Sequence, residues 1–99
     1  MFIATTPTLK FALPFSTGTI AAGYITIAQS GSNVIEKPLS DWTCDGSTVT
    51  VKLTQKETML LIPDANVEIQ MRIRLNDGTA MASKIFNLTA ERVLKDGEI

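Results

Sequence analysis

The sequence predicts an all-β fold, an antiparallel immunoglobulin-like β-sandwich of about 6–7 strands with one short helix. Three observations lead there. Val67 to Leu75 places Val67, Ile69, Met71, Ile73 and Leu75 on one parity and Glu68, Gln70, Arg72 and Arg74 on the other. A strand gathers those five apolar groups on one face, whereas a helix scatters them around its circumference. Turn-forming clusters recur about every eight to twelve residues, and a single stretch carries a helix-start signal. A small closed or half-open barrel is the second architecture these features allow.

The first strand is Thr8 to Phe15, with Leu9, Phe11, Leu13 and Phe15 on one side. Pro7 and Pro14 donate nothing to a ladder, which places this strand at a sheet edge or pairs it only through its middle. Ser16-Thr17-Gly18-Thr19 breaks the pattern, and Ile20 to Gln29 reads as a central strand with both faces partly covered. Ser30-Gly31-Ser32-Asn33 is a hairpin turn leading into a short strand, Val34 to Leu39, that ends its pairing at Pro38. Ser40 to Cys44 continues as strand and contains Trp42, and after Asp45-Gly46 a further strand, Thr48 to Leu53, turns Val49, Val51 and Leu53 inward. Thr54-Gln55-Lys56-Glu57 has capping-box spacing, so a helix of about two turns is expected over Gln55 to Leu61, closed by Pro63. The Val67–Leu75 strand then turns at Asp77-Gly78 into a second arm, Ala80 to Ala90, with Phe86 and Leu88 opposite Ile85. Residues 1–99 form a single β-sandwich domain, and 91–99 reads as a flexible C-terminal tail.

Composition narrows the function. Apolar residues make up 44% and charged ones 19%, too apolar for a disordered chain and too interrupted for a membrane span. Nine basic and ten acidic residues leave a net charge of −1, so no overall field draws nucleic acid or an anionic membrane. Cys44 is alone and forms no intrachain disulfide, and Met1 to Pro7 lacks the pattern of a secretory signal, so a cytosolic setting is expected. Without that route, the Asn87-Leu88-Thr89 sequon reads as ordinary strand sequence.

Histidine is absent, which removes the commonest general base and zinc ligand and every Ser-His or Cys-His pair. Cys44 reads as a packing residue, and Asp45-Gly46, Asp77-Gly78 and Asp96-Gly97 read as turns without calcium-loop spacing. Arg72 and Arg74 project the same way, and Lys84 on the next arm is expected near them in a small basic stripe. The expectation is a non-enzyme with no catalytic, cofactor-binding or metal residues.

Three stretches carry a resemblance: Thr5-Thr6-Pro7-Thr8-Leu9-Lys10-Phe11-Ala12-Leu13-Pro14-Phe15, Leu53-Thr54-Gln55-Lys56-Glu57-Thr58 and Arg92-Val93-Leu94-Lys95-Asp96-Gly97. Together they resemble small proteins encoded among the tail and baseplate genes of phages and prophages of Gram-positive bacteria. Such proteins are similar to the N-terminal immunoglobulin-like module of upper baseplate proteins, whose long C-terminal extension has no counterpart in this sequence. The resemblance implies a structural or adaptor subunit of a tail or baseplate, a homo-oligomer that binds itself or other tail proteins. It implies neither nucleic-acid nor membrane partners, and a location in the bacterial host cytoplasm during assembly and then in the virion tail. A host-surface carbohydrate-binding module is the alternative, with Trp42 and Tyr24 as its candidate aromatics.

Overall fold

The expected alternation holds along a ten-residue strand, Asn66–Leu75, in the computed structural model of the chain, which describes residues 1–99. Val67, Ile69, Met71 and Ile73 are buried, while Arg72 and Arg74 on the other face are exposed. In chain order the strands are β1 (Thr8–Ala12), β2 (Ile20–Gln29), β3 (Ser32–Pro38), β4 (Thr43–Asp45), β5 (Thr48–Lys52), β6 (Asn66–Leu75), β7 (Ala80–Ala82) and β8 (Phe86–Thr89). One α-helical turn, α1 (Gln55–Thr58), precedes β6. The strands make two antiparallel sheets, β1-β5-β4 and β3-β2-β6-β7, with β8 prolonging the β7 edge along β6. The fold is an all-β sandwich whose core is lined by Ile25 and Ile27 of β2, Val49 and Val51 of β5 and the inner residues of β6.

Strand order departs from the immunoglobulin arrangement at one point. There the first, second, fifth and fourth strands share a sheet and the third, sixth and seventh form the other. Here β2 lies between β3 and β6 instead. The cause is local: Ser30 and Gly31, with φ of 51° and 78°, close a two-residue hairpin between Gln29 and Ser32, and so tight a loop holds both strands in one sheet. β7 and β8 are one edge strand interrupted by a bulge. Four steps from Ala82 to Phe86 oppose three from Arg72 to Ile69, and this break brings the strand total to eight.

The chain changes sheet three times, between β1 and β2, β3 and β4, and β5 and β6, and each crossing contains a helical turn. The first has a 3₁₀ turn at Thr17–Thr19, where Ser16 caps the Gly18 amide. β1 therefore stops at Ala12, short of Phe15, although Leu13 N–H still donates to Ser47 O. At the second crossing a 3₁₀ turn, Leu39–Asp41, replaces the expected strand continuation, and Trp42 swings into the core. Its ring lies over Gly23 of β2 and its Nε1 donates to Lys37 O at 3.0 Å.

The third crossing holds α1, with both arms of the capping box formed: Glu57 N–H to Thr54 Oγ1 at 3.1 Å and Thr54 N–H to Glu57 Oε1 at 2.9 Å. The helix is one turn rather than two, because Leu60 and Leu61 switch to tight bonds on Glu57 and Thr58, turning Leu61 into the core. The buried Gln29 amide then grips Ile62, accepting from its N–H at 2.6 Å and donating to its carbonyl at 2.9 Å. Residues 91–99 contain no strand or helix but are tied at both ends. Glu91 bridges Phe2 in parallel, and Ile99 exchanges two hydrogen bonds with the Gln55 side chain at 2.8 and 2.9 Å.

Candidate interaction surfaces

No group of three or more Cys, Asp or Glu side chains converges anywhere. Cys44 is exposed on β4 opposite Val49. Gly46, Gly78 and Gly97 take left-handed φ of 60°, 91° and 86°, as turn residues do, and the Asp77 carboxylate accepts from Thr79 N–H at 2.9 Å. That bond holds the Asp77 pKa below its ordinary value. The one ion pair between side chains joins Lys37 of β3 to Glu57 of α1 at 2.7 Å, clamping the third crossing to the larger sheet. Burial pushes the Glu57 carboxyl up, but Lys37 and the Thr54 amide together outweigh it and hold the group below 4.5.

The outer face of the larger sheet is open. Tyr24 is half exposed, so this face of β2 is less covered than its central position implied. Tyr24 stands opposite Arg72, and Ala22 opposite Arg74, whose neighbour on β7 is Ala80. Small side chains beside long ones leave a shallow depression of about 270 Å³ around Tyr24, Arg72 and Arg74. Lys84 lies in the bulge and does not line it. Trp42 is buried at 8% exposure and is removed from any aromatic pair with Tyr24, because its indole fills the space above Gly23.

A second surface is the open side of the sandwich, where the β1 edge of the smaller sheet faces the β7–β8 edge of the larger. Phe11 and Phe86 meet across it with ring centroids 6.3 Å apart and planes at 58°, a tilted pairing. Leu13, Phe15 and Met81 line its continuation. Phe86, Leu88 and Met81 remain about 40% exposed. Phe86 and Leu88 alternate as core residues would, and their exposure is a matter of width, since three strands do not reach across the edge of the broader sheet. A third apolar patch, Leu60 and Ile62 at the third crossing, is exposed near the end of the chain that Gln55 holds.

The sheet edges are unequally protected. β1 carries Lys10 between Pro7 and Pro14, β3 carries Glu36, Lys37 and Pro38, and β4 is three residues long with Asp45. Such charges, prolines and short lengths block strand addition. Phe86-Asn87-Leu88-Thr89 carries neither a charge nor a proline; what protects it is its four-residue length, the bulge before it and, at its end, the Met1 amino group, which donates to Thr89 O at 3.1 Å.

The fold and surfaces define an antiparallel β-sandwich with one uncharged, proline-free edge and an open outer sheet face. No protein-family model, no curated protein and no solved structure matches the chain.

Proposed function

We propose that the chain is a non-enzymatic structural or adaptor subunit of a phage or prophage-derived tail or baseplate, working through protein–protein contacts with itself or with other tail proteins. The observation that carries this reading is the uncharged, proline-free β8 edge beside the apolar seam, since its free backbone groups next to exposed Phe86 and Leu88 offer both hydrogen bonds and apolar area to a neighbour. The tail context rests on the resemblance of the three stretches, and their placement supports treating them as one unit. Leu53 N–H donates to Pro7 O, and Thr5 and Thr58 exchange hydrogen bonds of 3.1 and 2.9 Å. The third stretch runs on to Ile99, which docks on Gln55. Such a subunit assembles in the host cytoplasm and ends in the virion tail.

Sedimentation velocity from micromolar to millimolar concentration, with mass spectrometry of purified tail particles, tests the reading. Association is expected for the parent protein and is lost in Asn87→Lys, which adds an edge charge without touching the core. A strict monomer at every concentration that is also missing from the particles would refute it.

A further inference from the structure

We infer that the depression on the outer face of the larger sheet is a binding site for a single sugar ring bearing a carboxylate or phosphate, with Tyr24 as the platform and Arg72 and Arg74 as the anion clamp. The two arginines leave β6 on the same face two residues apart, a separation of about 6.8 Å along the strand. Neither forms an ion pair within the chain. Their cross-strand neighbours Tyr24, Ala22, Ala82 and Ala80 contain no carboxylate. Glu68, on the same face of β6, is four residues from Arg72, about 13 Å along the strand. Both guanidinium groups thus point into solvent from a rigid central strand with their charge uncompensated, the arrangement that suits forked recognition of a planar or tetrahedral anion.

Tyr24 supplies what an anion site alone does not need. It is 51% exposed and stands directly across from Arg72, so its ring offers an apolar surface beside the charge. A sugar ring presents C–H groups to such a surface and hydroxyls to its rim. Ala22 and Ala80 flank Arg74 on both sides and keep the floor low. At about 270 Å³ the depression falls just under the roughly 300–1,000 Å³ of ordinary ligand pockets, which fits one ring and not an extended chain.

The test is a titration of ¹⁵N-labelled protein followed by NMR, using glucuronic acid and glucose 6-phosphate as probes and glucose and inorganic phosphate as references. Saturable shifts are expected for at least one acidic sugar, centred on Ala22–Tyr24, Arg72–Arg74 and Ala80, and the better of the two probes identifies the anion as carboxylate or phosphate. Arg72→Gln with Arg74→Gln is expected to weaken binding about ten-fold or more, and Tyr24→Ala to weaken the sugar but not inorganic phosphate. All three positions are outside the core, so the remaining resonances report an intact fold. Absence of saturable shifts with both acidic sugars, binding that survives the substitutions, or inorganic phosphate binding as tightly as the sugar phosphate would each overturn the inference.

Discussion

Replacing Gly23 by alanine is expected to destabilise the protein, although the same change in most strands is favourable. A glycine inside a strand costs about 0.5–1 kcal/mol relative to alanine through its backbone freedom, so the substitution alone adds that much stability. Against it stands Trp42. A Cβ built on Gly23 meets Cη2 of the indole well inside contact distance, with Cζ3 and Cζ2 at 3.0 and 3.1 Å. The ring has little room to retreat, because it is buried and its Nε1 is held by Lys37 O. Overpacking of this kind costs typically about 1–3 kcal/mol, and three rigid ring carbons put the clash near the upper end. Subtracting the glycine term leaves a net loss of about 2 kcal/mol, or a fall in Tm of about 8–16 °C for a domain of this size. Thermal melts by circular dichroism measure it, and the emission of the single tryptophan reports whether the indole is displaced. In a Trp42→Phe background the colliding ring carbons are gone, so adding Gly23→Ala is expected to be neutral or stabilising, a non-additive cycle. Parent-like melting and unchanged emission for Gly23→Ala would show that the indole is not seated over Gly23.

Other tests address the rest of the fold. Ile73→Lys places an unpaired charge on the buried face of β6 and is expected to cost several kcal/mol, whereas Arg72→Lys on the outer face changes stability by less than about 0.5 kcal/mol in urea unfolding. Thr54→Ala removes the acceptor for the Glu57 amide and is expected to cost about 1 kcal/mol, read from the shift of the urea midpoint. Because the native Glu57 pKa is lowered, its contribution is complete above the unfolded value near 4.5 and is lost as pH falls through the lower native one. Urea midpoints measured down the acid limb should therefore fall less steeply for Lys37→Gln than for the parent. Ser83→Ala takes the acceptor from the Met71 amide, now bonded to Ser83 Oγ at 3.0 Å, and is expected to cost about 1–3 kcal/mol with faster hydrogen exchange at Met71.

What the sequence reveals of this fold is what local periodicity and turn chemistry encode. The alternation of β6, the edge position of β1 between two prolines, the hairpin at Ser30-Gly31 and the Thr54–Glu57 capping box all follow from residues within a few positions of one another. Strand order does not, since it is decided by pairings distant along the chain. Even so, the Ser30-Gly31 turn already argues against a strict immunoglobulin order, in which the second and third strands occupy different sheets. Trp42 sits in a crossing with no periodicity to show which way it faces, and the one clue is distant in sequence: Gly23 of β2, the position without a side chain over which the indole lies. Of the candidate surfaces, Arg72 and Arg74 are legible from parity alone. Tyr24 joins them only through the register of β2 on β6, and Lys84 leaves them because of the bulge.

That bulge is the feature on which both surfaces depend. Before it, Met81 opposes the buried Ile73 and so faces the inside of the sandwich, and after it Phe86 and Leu88 oppose Ile69 and Val67 and do the same. An odd-numbered residue and two even-numbered ones share a face only because one extra residue has been inserted between them. A strand without the insertion turns Phe86 and Leu88 outward, since a one-residue slip reverses every side chain beyond it. The apolar seam would then vanish, and two large side chains would crowd the outer face on which Arg72 and Arg74 stand. Ser83 fixes the insertion, lending its hydroxyl to Met71 N–H and its carbonyl to the Gln70 amide. Seam and outer face are in this way kept apart by a single irregularity. Asn87 stands opposite Glu68 on that outer face, about 13 Å along the sheet from Arg72, so Asn87→Lys at the edge and Arg72→Gln with Arg74→Gln act at separate places, and loss of assembly and loss of sugar binding are expected to occur independently.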